Sequence, residues 1–384
     1  MKNSIDLSRE RNQSPLIAFD LLPDDLVLCA VFSSRIMTIN PKSAMIEEVF
    51  KFDGQCVGAA WSPDFQLLVV ATSSSLYYLS ADFELVSEGT IDCSTPGHEE
   101  LMTIGWGSVQ TQFQGSAGRK HLSELDPEDV RTPLFPYDTR SVVLRWRADG
   151  QYLAVSFPYE ENGINSRHLS VWSKDGQLLS RCITLAGAEE AVTFRPVGNL
   201  IAASRVLSGK RDIVFYERNG QKRHSFYLGL QKRDMVHCLA WNVDGSILMV
   251  HLISSDKSHY VHFWCVSNYD WTLKKQFVWN DGLADVKWDA ENSHRFHFLT
   301  RTGRYGRIDV DFCYNFSDMM VVVVNDNKIR VTDFHMASIP PPLCHYQLNF
   351  TSAICCVAQS KKHIAFLLSN RTVSLCEYFF MPLL

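Results

Sequence analysis

Six large aromatic side chains, Trp61, Trp106, Trp146, Phe194, Trp241 and Trp288, return along this sequence at steps of 45, 40, 48, 47 and 47 residues. Most of them close one local pattern: an apolar residue, any residue, the aromatic, a short polar turn, then an apolar run. Ala59-Ala60-Trp61-Ser62-Pro63-Asp64 leads into Leu67-Leu68-Val69-Val70, and Leu144-Arg145-Trp146-Arg147-Ala148-Asp149-Gly150 into Tyr152-Leu153-Ala154-Val155. Val192-Thr193-Phe194-Arg195-Pro196-Val197-Gly198 and Leu239-Ala240-Trp241-Asn242-Val243-Asp244-Gly245 repeat it. Self-similarity at about 40–45 residues, with four short strands per unit, predicts an all-β, WD-repeat-like β-propeller of about seven blades. An aromatic that recurs once per blade is expected to pack between sheets rather than line a ligand box.

The strand signals fill in the units. Leu26–Phe32, Arg35–Ile39 and Met45–Phe52 form a first unit without its aromatic marker, and Val57–Trp61, Leu67–Ala71, Leu76–Leu79 and Glu84–Thr90 form a second. A third is degenerate, with candidate strands at Leu101–Trp106 and Thr111–Gln114. The Pro-bearing, charged stretch of about 117–137 reads as a surface loop inserted between blades. In the regular units that follow, the aromatics Trp172, Tyr216 and Trp264 precede tight turns, two of them Asp175-Gly176 and Asn219-Gly220, which supply the positive φ of short hairpins. The expected division is a frayed leader at 1–15, a first propeller at 16–350, and at 351–384 a last blade or the start of a truncated second propeller.

Composition removes several function classes. With 37 Lys and Arg against 42 Asp and Glu, no basic field invites nucleic acid over the whole surface. The 11 cysteines form no Cys-x-x-Cys pair and many sit in apolar runs, as expected of free thiols in a reducing compartment. The N-terminus carries Lys2, Asp6, Arg9, Glu10 and Arg11, unlike a signal peptide, and apolar runs such as Met319–Val324 are far too short to span a bilayer. The reading is a cytoplasmic protein without a membrane anchor.

Little in the sequence proposes catalysis. His259-x-x-His262 and His294-x-x-His297 lie in strand-like segments, where positions i and i+3 face opposite sides, so neither pair is expected to share a metal. No nucleophile elbow, Walker loop or dinucleotide fingerprint occurs. No catalytic residue, cofactor or metal is therefore assigned. One basic cluster around an aromatic, Arg301, Arg304, Tyr305 and Arg307, has the composition of an RNA-facing patch, against the plainer reading of a solvated hairpin tip.

Several strings together go beyond a generic propeller. They are Ile104-Gly105-Trp106-Gly107 with Thr111-Gln112-Phe113-Gln114-Gly115-Ser116-Ala117-Gly118-Arg119; Trp146 to Ser156; Asp212 to Gly220; Asn268 to Lys274; and Pro340 to Leu348. In this order and spacing, from about residue 50 to 384, the sequence resembles the N-terminal part of the largest, scaffold subunit of the Elongator complex, the IKAP family. The resemblance implies a non-catalytic scaffold that supports modification of wobble uridines in cytoplasmic tRNA. Its implied partners are other Elongator subunits, among them the radical SAM/acetyltransferase-like catalytic subunit and a second propeller subunit, with tRNA reached only indirectly and a minor nuclear pool allowed. The sequence departs from the family in starting downstream of the usual beginning, so the first propeller is expected to lack its closing strand, and in lacking the helical dimerisation region. The runner-up is a propeller subunit of a vesicle-coat or cargo-adaptor complex. Partner contacts are expected in the 105–137 stretch, at Gly105, Trp106, Gln112, Phe113, Arg119 and Lys120.

Overall fold

The computed structural model describes residues 14–23, 26–93, 132–182, 186–229, 234–267, 270–337 and 339–377. Every regular element among them is a β-strand, and every sheet is an antiparallel meander of consecutive strands. The chain divides into two compact units, Met1–Lys232 and Arg233–Leu384.

The first unit holds four four-stranded sheets, at residues 16–51, 58–90, 143–181 and 188–227. The first strands of successive sheets, Leu16–Leu22, Gly58–Trp61, Val143–Trp146 and Ala188–Phe194, lie beside one another in turn. The strand Leu67–Ala71 shows why these sequences read as continuous apolar runs. Its alternate residues Leu68 and Val70 pack with Cys29, Val31 and Ile36 of the preceding sheet, while Val69 and Ala71 pack with Leu153, Val155 and Trp172 of the following one. The third sheet repeats this, with Leu153 and Val155 on one side and Ala154 and Val171 against Phe194, Ile201 and Val214 on the other. A sheet covered on both faces has no polar alternation to show.

The recurring aromatics act at these interfaces. Trp146 Nε1 donates to Ala60 O of the preceding sheet at 3.3 Å, and in the second unit Trp288 Nε1 donates to Ala240 O at 3.2 Å. In both cases the acceptor is the residue just before the previous aromatic, Trp61 or Trp241, so the Ala-Trp pair is a unit of inter-sheet bonding. The polar turn behind each aromatic closes on itself. Leu67 N donates to Ser62 Oγ at 2.9 Å and Gln66 N to Asp64 Oδ1 at 3.2 Å; Ile247 N and Ser246 N do the same with Asn242 and Asp244, both at 2.9 Å. Hydrogen bonding from Ser62 holds the Asp64 carboxyl below its ordinary range.

The second unit holds sheets at 235–279, 283–309, 314–349 and 354–377, of four, three, four and three strands. One apolar cluster joins the first two, with Met249, Val261 and Phe263 against Val286, Phe296 and Phe298. A separate one joins the last two, with Val322, Ile329 and Val331 against Ile354, Ile364 and Phe366. That second cluster takes residues from both sides of position 350.

The expected turn glycines hold, with Gly176 at φ 82° and Gly220 at φ 84°. The expected strands at 101–106 and 111–114 lie outside the described residues. The sheets on either side of that stretch touch directly: Val142 N donates to Val57 O at 3.1 Å. Trp61 and Trp146 thus mark adjacent sheets, and the reading of Trp106 as the marker of a blade between them is corrected. The approach is so close that a Cβ on Gly58 would stand 2.0 Å from Val142 O.

Trp146→Phe and Trp288→Phe keep an aromatic ring but remove the indole N–H. Each is expected to cost about 1 kcal/mol, read as a lower urea midpoint at unchanged slope. Gly58→Ala should cost more than either, because the backbone of residue 142 must move. Wild-type midpoints in both Trp variants would remove the indole bonds from the account.

Candidate partner-binding surface

Residues 94–131, which include the expected contacts Gly105, Trp106, Gln112, Phe113, Arg119 and Lys120, lie outside the described residues. The chain on either side of that stretch is held by one sheet, residues 143–181. On the entering side, Asp92 pairs with Arg181 at 2.9 Å and Cys93 Sγ lies 3.3 Å from His168 Nδ1. On the returning side, Leu134 N donates to Asn165 O at 2.9 Å and Arg167 grips Asp138 through two bonds of 2.9 and 2.6 Å.

The returning segment, 132–141, is a strap with a buried underside. The Arg167 and Asp138 side chains are 1% and 3% exposed, which places their pair outside the solvent-screened regime of surface bridges. Arg167 also donates through Nη1 to Ser141 O at 2.7 Å and Ser156 O at 3.3 Å, and its Nη2 stands 3.8 Å from the Glu190 carboxylate. A second pair lies beside it on the neighbouring sheet. Arg211 donates to Glu189 through Nε at 3.0 Å and Nη2 at 2.7 Å, and Tyr137 Oη donates to the same carboxylate at 2.6 Å. Burial, followed by the Glu189 charge, pushes the Tyr137 phenol above its ordinary range, so it remains a donor. Glu190 accepts from Thr139 Oγ1 at 2.6 Å and Ser141 Oγ at 2.5 Å. Tyr137 stacks on Phe135 at 5.2 Å, and Pro133, Pro136, Thr139 and Arg140 on the strap are exposed. The strap therefore presents a surface of fixed shape beside the ends of the 94–131 stretch.

Sequence reading missed this network. Its available signal was charge inside strands: Glu189-Glu190 opens an apolar strand, and Arg167 and Arg211 stand in others. Such charges are buried only when paired.

The other expected cluster is divided by the structure. Tyr305 and Arg307 lie on one exposed face of the strand Tyr305–Asp309, with Tyr305 stacked on His297 at 6.0 Å and bonded to its Nδ1 at 2.7 Å. Arg304 lies over the Phe298 ring at 5.9 Å. Arg301, in the hairpin turn, instead belongs to a histidine group of the same unit. There His251 Nε2 and His259 Nδ1 are 2.9 Å apart, and His237 meets His251 edge-on at 5.0 Å. Burial, then the neighbouring His237, His259 and Arg301, lowers His251 to about 3. His262, on the opposite face of its strand from His259, is lowered by burial to about 4. The spacing argument about His259 and His262 thus holds: each has different neighbours.

Consecutive antiparallel meanders stacked face to face, with their first strands adjacent, define a β-propeller protein. The family model described as the ELP1 first N-terminal beta-propeller matches residues 1–291, and the ELP1 N-terminal second beta-propeller matches residues 323–382. Elongator complex protein 1 of Mus musculus is 32% identical over 349 residues, which cover 86% of this chain and 26% of that protein. The protein of the same name from Saccharomyces cerevisiae is 27% identical over 379 residues, covering 88% and 27%, and that of Arabidopsis thaliana 29% identical over 375 residues, covering 88% and 28%. The chain belongs to the Elongator complex protein 1 family, within its N-terminal propeller region. It spans about a quarter of the length of these relatives.

Two outcomes follow. Asp138→Ala or Glu189→Ala strands a buried guanidinium and should cost about 3–5 kcal/mol, with faster proteolysis within 132–141 under native conditions; a cost near zero would show the pairs to be incidental. His251 and His262 are neutral when folded and titrate near the ordinary 6.5 when unfolded, so the unfolded chain binds more protons below that pH. Their contribution to stability is complete above 6.5 and is lost as pH falls, so the melting temperature should drop between about pH 7 and pH 5. His251→Gln should flatten that slope in a melting series.

Proposed function

We propose that this chain is a non-catalytic scaffold module of an Elongator assembly, supporting modification of wobble uridines in tRNA by helping to hold the catalytic, radical SAM/acetyltransferase-like subunit. Family membership over most of the chain is the observation that carries the reading. The architecture is in keeping with it: within each unit the sheets stack face to face, and a marginal segment such as the strap at 132–141 is held by buried pairs, the kind of preorganised surface a partner can use. Contact is proposed through the 105–131 stretch and the exposed side of the adjoining strap, with a second propeller subunit as another neighbour. The tRNA is reached indirectly, and the proposed compartment is the cytoplasm.

Affinity purification of the tagged chain from cells, followed by mass spectrometry, tests the proposal. The expected result is recovery of Elongator subunits, reduced several-fold by Arg119→Glu with Lys120→Glu. Depletion of the protein should lower wobble-uridine modification in total tRNA. Recovery of vesicle-coat subunits instead, or unchanged tRNA modification after depletion, would overturn it.

A further inference from the structure

Where the second sheet hands over to the third, Cys93 and His168, 75 positions apart in sequence, come within 3.3 Å, Sγ to Nδ1. The imidazole is fixed. Its Nε2 lies 3.1 Å from Ser166 Oγ, its ring stacks on Phe157 at 5.8 Å, and Tyr159 meets it edge-on at 5.8 Å. With Nε2–H donating to Ser166, the Nδ1 lone pair faces the thiol, which is the tautomer a base needs. Cys93 and His168 open on a cavity of about 120 Å³ that is also lined by Phe157, Glu161, Arg181 and Cys182.

Other thiols of the chain differ. Burial pushes Cys29 up to about 12 and Cys56 and Cys265 up to about 11, which locks them as thiols. Cys238 lies 3.8 Å from His251, but that imidazole is already bonded to His259 and is held at about 3, too weak a base to take a proton. Cys355 and Cys356 are exposed, and Cys356 Sγ has the Val357 carbonyl as its partner. Cys93 thus combines access, an oriented base and a cavity able to admit a small molecule.

We propose that Cys93 is a reactive thiol, activated by His168, whose cavity takes hydrogen peroxide or another small hydroperoxide. The thiol proton passes to His168 Nδ1. The thiolate attacks one peroxide oxygen; the S–O bond forms as the O–O bond breaks, and the departing hydroxide takes the proton back from His168 to leave as water. The net change is thiol plus hydrogen peroxide to sulfenic acid plus water, in which sulfur gives up two electrons and the peroxide accepts them. Arg181, bonded to Asp92, supplies a cation to the cavity, and Glu161 a carboxylate. The assignment does not depend on the scaffold proposal.

The purified full chain is exposed to dilute hydrogen peroxide with dimedone as a trap, and labelling of each cysteine is followed by peptide mass spectrometry. Cys355 and Cys356 serve as references within the same molecule. Cys93 should label about tenfold faster than either at neutral pH. Its rate should level off well below the pH of about 8.5 at which an ordinary thiol ionises. His168→Gln should bring its rate down to that of Cys355, and Ser166→Ala should lower it less. If His168→Gln does not fold, the wild-type rate ratio and pH profile decide. Labelling of Cys93 no faster than Cys355 and Cys356, or a pH profile with the ordinary inflection, would overturn the proposal.

Discussion

Face-to-face burial of one sheet against the next is the interaction from which the other features follow. The inner strands of sheets such as residues 58–90 and 143–181, Leu67–Ala71 among them, have no solvent face: alternate residues of one strand enter two different apolar clusters. A substitution in such a strand is felt at one interface or the other, whichever way its side chain points. Where the first strand ends on Trp146 or Trp288, the indole adds direction to this otherwise nondirectional contact, because its N–H meets a particular carbonyl. Trp146 and Trp288 meet equivalent carbonyls, Ala60 and Ala240, in separate units, which marks the bond as a device of the repeat.

A stack built in this way leaves variation to its margins, and the strap at 132–141 shows how a margin is given a fixed shape. Two arginines on neighbouring sheets, Arg167 and Arg211, each hold a carboxylate away from water. Pairs of this kind often add little stability over apolar residues of equal volume, yet removing one partner is costly. Their effect here is positional. The bidentate grip on Asp138 and the shared grip of Arg211 and Tyr137 on Glu189 leave the strap one seating, and the exposed side of Phe135 to Arg140 is presented accordingly.

The repeat was legible in sequence because its cause is local. The aromatic, the polar turn and the following strand lie within about a dozen residues, so their spacing records the blade directly. Predicted strands such as Arg35–Ile39 and Leu67–Ala71 coincide with the observed ones. The exception is instructive: Trp106 fits the interval, but Val57 and Val142 bond directly across the place where its blade would stand. The strap network was illegible for the opposite reason. Glu189 and Arg211 are 22 positions apart, Tyr137 and Glu189 52, and no local pattern ties them. The basic cluster at 301–307 was visible as composition, but the hairpin sends Arg301 toward the histidine group and Tyr305 and Arg307 to the outer face, a separation that charge counting does not resolve.

The attachments flanking the 94–131 stretch differ in chemistry, and the difference has a consequence. On the returning side stand bidentate ion pairs, 1–5% exposed, which resist both salt and modest changes of pH. The entering side rests on a partly exposed ion pair, Asp92 with Arg181, and on the thiol–imidazole contact of Cys93 with His168. An oxygen added to Cys93 Sγ replaces a short S–H···N contact with a larger polar group inside a small cavity. The entering anchor would then loosen while the strap stayed seated, because its bonds share no atom with the thiol. A surface so arranged can change its presentation of one segment without disturbing the sheets beneath it.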